Sequence, residues 1–144
     1  MLCLIKDVMN KNVVTINYKR SVFEAAEAMA QDPDAAGYVV VLQQGKPIGI
    51  VTERDIVHKV IAQKLNPANA PVASIMSTPL ITIDPDVEFL TAPELMQKHN
   101  VSKLVVVKDD ILYGVITAKI VATQCTTYMN QTVHDVIRWT GFLV

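Results

Sequence analysis

Thr52 and Asp55 stand three residues apart in GIVTERDIV, residues 49–57. The apolar run before Thr52 reads as the end of a strand and Glu53 onward as a helix. Three residues is nearly one helical turn, so the hydroxyl and the carboxylate can face the same way. That pairing suits a sugar: a ribose presents two vicinal hydroxyl donors, and an ionised carboxylate accepts both with charge-assisted strength. The helix start turns free backbone N–H groups toward phosphate oxygens, and Arg54 adds a mobile positive charge beside them. A plainer role is open to the same residues, with Thr52 as the helix N-cap and Glu53 and Asp55 favourable in the first turn. Residues 114–122, GVITAKIVA, repeat the phrase as Thr117, Lys119 and Ile120. The acid is gone there. Ile120 cannot accept from a hydroxyl, and each buried hydroxyl left unpaired would cost about 1–3 kcal/mol.

The doubling extends along the chain. Met9 and Met76 are 67 positions apart, as are Thr15 and Thr82, and Met29 and Met96. Gly49 and Gly114 are 65 apart, as are Thr52 and Thr117. The first copy therefore carries two extra residues, placed in the Pro/Asp-rich turn Asp32 to Ala36, where insertions settle. Each copy reads as a helical lead-in (Leu4 to Met9; Val72 to Met76), a short strand (Val13 to Ile16; Leu80 to Ile83), a helix, a strand pair and a second helix. Ser21 and Glu24 form an S-x-x-E capping box ahead of the helix Ser21 to Gln31. Tyr38 to Leu42 and Pro47 to Val51 are nearly all apolar, so both faces of these strands are covered. Gln43-Gln44-Gly45-Lys46 between them is a hairpin signal. The helix after Glu53 is expected to bury Ile56, Val57, Val60 and Ile61. In the second copy Pro93 stands where Ala26 does, so that helix should start late or kink, with Thr91-Ala92-Pro93-Glu94 as its capping box.

These divisions give repeat 1 over residues 1–65, a linker over 66–71, repeat 2 over 72–127, and a C-terminal helix and apolar tail over 128–144. Thr132 is expected to cap that final short helix. The apolar Gly141-Phe142-Leu143-Val144 end needs cover from this chain or a partner.

Composition narrows the function. The 144 residues are 51% hydrophobic and 19% charged, with a net charge of −1. That is enough apolar material for a sizeable core, and too little positive charge for the basic stripe of a nucleic-acid binder. No apolar run approaches the roughly 20 residues of a membrane span. The start, MLCLIKDVMNK, lacks the features of a secretory signal, and Cys3 and Cys125 read as two separate buried thiols, with a disulfide the minor alternative, so a cytoplasmic protein is expected.

The phrases Lys6-Asp7-Val8-Met9, Val13-Val14-Thr15-Ile16, Ser21-Val22-Phe23-Glu24-Ala25-Ala26 and Gly49-Ile50-Val51-Thr52-Glu53-Arg54-Asp55-Ile56, in order and largely repeated, resemble the cystathionine β-synthase (CBS) domain. The whole resembles a stand-alone CBS pair, or Bateman module, over roughly Ile5 to Thr126. The resemblance implies an α/β (α+β) fold of two β-α-β-β-α repeats, related by a pseudo-twofold axis and packed through their sheets. It implies a regulatory sensor without catalysis or required cofactor, often a homodimer joined through its helices and acting on a separate effector protein. It also implies clefts that bind adenosine compounds: AMP, ADP or ATP, with S-adenosylmethionine the weaker fit here. In the first cleft Thr52, Asp55 and Arg54 would be joined by Lys103 at the start of a strand, where family members place a cation for phosphate. Met9, Val13, Val14, Tyr38 and Val39 would line the adenine slot, though each could equally be core. The second cleft, with Thr117, Lys119 and Ile120, has Tyr38 in place of the cation and is expected to have lost or changed its ligand.

Two rival functions remain. Catalysis has little support: no phosphate-binding glycine loop or metal cluster is present, and His58, His99 and His134 are scattered. A CBS pair that binds nothing small and only dimerises or docks on another protein is the stronger rival.

Overall fold

The computed structural model describes residues 3–33 and 36–140, with side chains described as far as 131 apart from Tyr128. The elements are α1 (Ile5–Val8), β1 (Thr15–Asn17), α2 (Val22–Gln31), β2 (Tyr38–Gln43), β3 (Lys46–Thr52) and α3 (Glu53–Ile56). A π-helical stretch, Val57–Ile61, continues α3, and a single 3-10 turn, Val72–Ser74, opens the second half. There follow β4 (Thr82–Ile83), α4 (Thr91–His99), β5 (Lys103–Lys108), β6 (Ile111–Thr117) and α5 (Ala118–Thr140). Each half forms a three-stranded sheet, β1-β2-β3 and β4-β5-β6, with one parallel and one antiparallel pairing. Both hairpins turn through two left-handed residues, Gln44 and Gly45 in one and Asp109 and Asp110 in the other, which matches the right-handed twist of the strands.

Alternation along the strands divides the core in three. Val39, Val41 and Val51 face Val22 and Ala25 of α2. Leu104, Val106 and Ile116 face Ala92 and Met96 of α4. From the opposite faces, Tyr38 and Val40 meet Val105 and Val115, and this cluster joins the two sheets. The two repeats thus pack through their sheets, as the resemblance implied.

The lead-ins, however, are exchanged. Ile5, at the start of the first repeat, is fully buried in the core of the second. Its counterpart Val72, with Ile75, is buried in the core of the first. The crossing is repeated bond for bond: Asn10 pairs with Val115 as Ser77 pairs with Ile50, and Leu4 bridges Glu88 as Pro71 bridges Ser21. Gly49 and Gly114 leave room for it, since a Cβ would stand 2.6 Å from Met76 Sδ at Gly49 and 2.6 Å from the Asn10 carbonyl oxygen at Gly114.

The Ser21–Glu24 capping box is present on α2. On α4 the helix does start late, but Leu90 is the N-cap and no side chain caps it, so the expected box at Thr91 to Glu94 does not form. Thr91 already lies inside the helix, and Pro93 occupies its first turn, where its missing N–H has no intrahelical partner to lose. Val57 and Ile61, expected to be buried, are 54% and 56% exposed. The wider π-helical turn, marked by the Ala62 N–H to Val57 C=O and Leu65 N–H to Val60 C=O bonds, leaves only Val60 fully inside, with Ile56 partly buried. No separate helix begins at Thr132, because α5 runs unbroken from Ala118 to Thr140; that span contains neither glycine nor proline to stop it. The apolar tail from Gly141 lies outside the described residues. Cys3 and Cys125 are free thiols and only partly buried, with burial and nearby Asp7 raising the pKa of Cys3.

Candidate functional site

At the end of β3, Thr52 caps α3 and makes a closed pair with Asp55. Its Oγ1 accepts the Asp55 N–H at 3.2 Å, while its own N–H and hydroxyl donate to Asp55 Oδ2 at 2.9 and 3.1 Å. The other carboxylate oxygen meets Lys59 Nζ at 3.1 Å, and the Asp55 side chain is only 12% exposed. Lys59 also donates to the Ile75 carbonyl at 2.9 Å, tying this corner to the exchanged lead-in. The capping role open to Thr52 is therefore filled.

Beside this cap lies a cleft of about 770 Å³, within the range of ligand pockets. Repeat 1 supplies Ile50, Thr52 and Arg54; repeat 2 supplies the Ser77–Ile81 segment, the His99–Lys103 segment and Val105. Thr52, Arg54 and Lys103 thus border one cleft. Asp55 stands behind Thr52 and is not part of the lining.

None of the expected adenine-slot residues reaches this cleft. Val39 lies in the α2-facing core, with Val14 packed against it. Val13 and Tyr38 lie at the junction of the sheets, and Met9 packs on the core of the second repeat and lies close to Gly114. The exchange of lead-ins explains the displacement. It sets the segment before β4 against Thr52 and the segment before β1 against the Thr117 side, so Leu80 and Ile81 take the places expected of Val13 and Val14.

The lining holds residues that the sequence reading passed over. His99 ends α4 and Asn100 is its left-handed C-cap, with φ of 53°; both border the cleft, with Ser77, Thr78 and Ser102. Their shared signal was position, since they flank Lys103 in the equivalent of the turn that carries the insertion in repeat 1. Arg54, His99 and Lys103 border the cleft, and among the described residues no carboxylate does.

On the second side, Thr117 Oγ1 still accepts the Ile120 N–H at 3.2 Å, but Ile120 returns nothing and packs instead on the core of its own repeat. Lys119 is exposed. Tyr38 is 1% exposed, and its hydroxyl accepts from Asn10 Nδ2 at 3.2 Å; burial raises its pKa, so the phenol stays neutral.

A pair of such units, exchanging lead-ins and holding a cleft at the seam, is the architecture of paired regulatory modules. The chain belongs to the CBS domain family: the family model matches residues 5–62 and 72–124. It is 32% identical over 112 residues to the CBS domain-containing protein YhcV of Bacillus subtilis, covering 78% of each chain. It is 36% identical over 122 residues to an uncharacterized protein of Methanocaldococcus jannaschii, of whose length it spans only 29%. Among solved structures, a hexameric CBS-CP12 protein from bloom-forming cyanobacteria matches with a TM-score of 0.76 at 27% identity, over 85% of this chain and 67% of that one. Among the described residues no helix is long and apolar enough to cross a membrane.

Proposed function

We propose that this CBS pair is a regulatory sensor that holds one adenine nucleotide per chain (AMP, ADP or ATP) in the Thr52 cleft and signals to a separate effector protein. The observation that carries the reading is the charge of the lining: the cations Arg54 and Lys103, with the imidazole of His99 beside them and, among the described residues, no carboxylate. Such a surface favours phosphate and disfavours the sulfonium and ammonium charges of S-adenosylmethionine. Leu80, Pro79 and Ile81 offer an apolar slot for a base, and Thr52 with Asp55 behind it offers the sugar a hydroxyl and a carboxylate. Asp55 already takes three donors, so about one lone-pair site remains, and a diol gains its second acceptor if Lys59 swings away. The Thr117 side lacks such an acid and is not expected to hold the same ligand.

Asp55's engagement favours the second reading, a pair that only docks or dimerises. Phe23 and Leu90, which hold matching positions in the two repeats, are exposed together with Val57, Ile61 and Leu65, which supports pairing of two chains through helices.

Titration calorimetry with AMP, ADP, ATP and S-adenosylmethionine separates the readings. We expect one nucleotide per chain, weaker binding in Arg54→Ala and Lys103→Ala, near-complete loss in Asp55→Ala and no change in Lys119→Ala. Absence of heat with every nucleotide, or unchanged affinity in Asp55→Ala, overturns the sensor reading; two nucleotides per chain overturns the asymmetry.

A further inference from the structure

The nucleotide reading leaves Tyr38 as a mere loss, a phenol where the other repeat has a cation. We infer instead that Tyr38 is a positioning residue for the first cleft: its ring is the platform that holds Lys103 where a phosphate would meet it. This rests on the reading above.

The Lys103 ammonium lies 5.8 Å from the centroid of the Tyr38 ring, within the reach of a cation–π attraction. Its other polar neighbour is Ser102 Oγ at 3.5 Å, a marginal contact. Among the described residues Lys103 makes no ion pair, whereas Lys6, Lys46, Lys59 and Lys108 each have a carboxylate partner. The platform itself is rigid. Tyr38 is packed among Val40, Val105 and Val115 at the junction of the sheets, and Asn10 holds its hydroxyl.

The chemistry of the pairing matters. A lysine side chain free in solvent spreads over many rotamers. A carboxylate would gather it but would also neutralise it and compete with an incoming phosphate. The face of a neutral ring attracts the ammonium through its quadrupole and leaves the full charge for the ligand. Because β2 and β5 meet across the seam, the position vacated in one site falls under the cation of the other.

The test reads the gain in affinity from adenosine to AMP, which isolates the phosphate contact, in the wild type and in variants checked for equal thermal stability. Tyr38→Phe keeps the ring and should keep the gain. Replacing Tyr38 with pentafluorophenylalanine keeps the shape but reverses the quadrupole, and should cut the gain by about two- to fivefold. In a Lys103→Met background the same replacement should change nothing further. Tyr38→Leu should behave as the fluorinated ring does; if it fails to fold, the isosteric fluorinated protein still decides. An undiminished gain with the fluorinated ring, or a loss that persists without Lys103, overturns the inference while leaving the nucleotide reading intact. A wild-type protein that binds neither adenosine nor AMP overturns both.

Discussion

In the first cleft Thr52 and Asp55 close a reciprocal cap on α3; in the second, Thr117 still receives the Ile120 N–H, but no side chain answers. In the crossing of the lead-ins and in the sheets the two halves agree down to single bonds. The Val22 N–H meets the Ala70 carbonyl as the Phe89 N–H meets that of Cys3, both at 2.8 Å. Both sheets shift register at the same point, after Val41 and after Val106. The difference teaches that the fold of one repeat does not require the acid: the strand end and helix start form with or without it. The Thr side chain and the glycine serve packing and are kept in both copies. The acid and the strand-start cation, which the proposed nucleotide reading would use, occur in one copy each, Asp55 against Ile120 and Lys103 against Tyr38.

The largest test of that agreement concerns the exchanged lead-ins. Ile5→Ala should destabilise the protein by about 2–5 kcal/mol in urea denaturation. Its damage, read by hydrogen exchange, should appear first around Leu104, Val106 and Ile116, in the other repeat. Val72→Ala should cost less and loosen Val39, Val41 and Val51. Protection lost first in the mutated repeat would mean the crossing is wrong.

The glycines sharpen the comparison further. Gly49→Ala and Gly114→Ala should each cost about 1–3 kcal/mol, as overpacked sites do. Gly114→Ala should be the worse, because its nearest obstacle is the backbone of Asn10, whereas that of Gly49 is the flexible end of Met76. Thermal unfolding of the two variants orders them; equal midpoints would show that both neighbours yield alike.

The smallest effect lies where the halves differ electrostatically. Lys6 and Lys108 both grip Asp86, at 3.1 and 2.6 Å, and Lys19 holds the matching position in repeat 1. The bonds from Lys108, then Lys6, hold Asp86 below the ordinary carboxylate range. A depressed carboxylate contributes stability above its unfolded pKa of about 3.9 and loses it as pH falls through the folded value. Asp86→Asn should therefore unfold slightly earlier than wild type at pH 7, with the gap closing as the solution is acidified below the ordinary carboxylate range. The group is solvent-exposed, so added salt should shrink the gap too. A gap that widens in acid would reverse the assignment.

The repeat and the element order were legible because each rests on local pattern: caps, hairpin turns and alternation; the meeting of Lys103 with Thr52 and Arg54 across the seam was implied by the family resemblance alone. The adenine-slot residues were misplaced because Met9, Val13 and Val14 look the same whether their segment packs on its own sheet or its neighbour's. Only tertiary contacts decide that, and the Gly49–Met76 and Gly114–Met9 approaches are long-range. His99 was overlooked because its place in the cleft depends on where α4 ends. The exposure of Val57 and Ile61 turned on a π-helical widening that helical spacing does not announce. The unbroken α5 could have been read from its lack of glycine and proline; Thr132 was given more weight as a cap than an interior threonine warrants.

The exchange of opening segments carries one more consequence. Neither half owns the whole of its interior, so cutting either one away would strip a buried wall from the other, whatever either pocket holds.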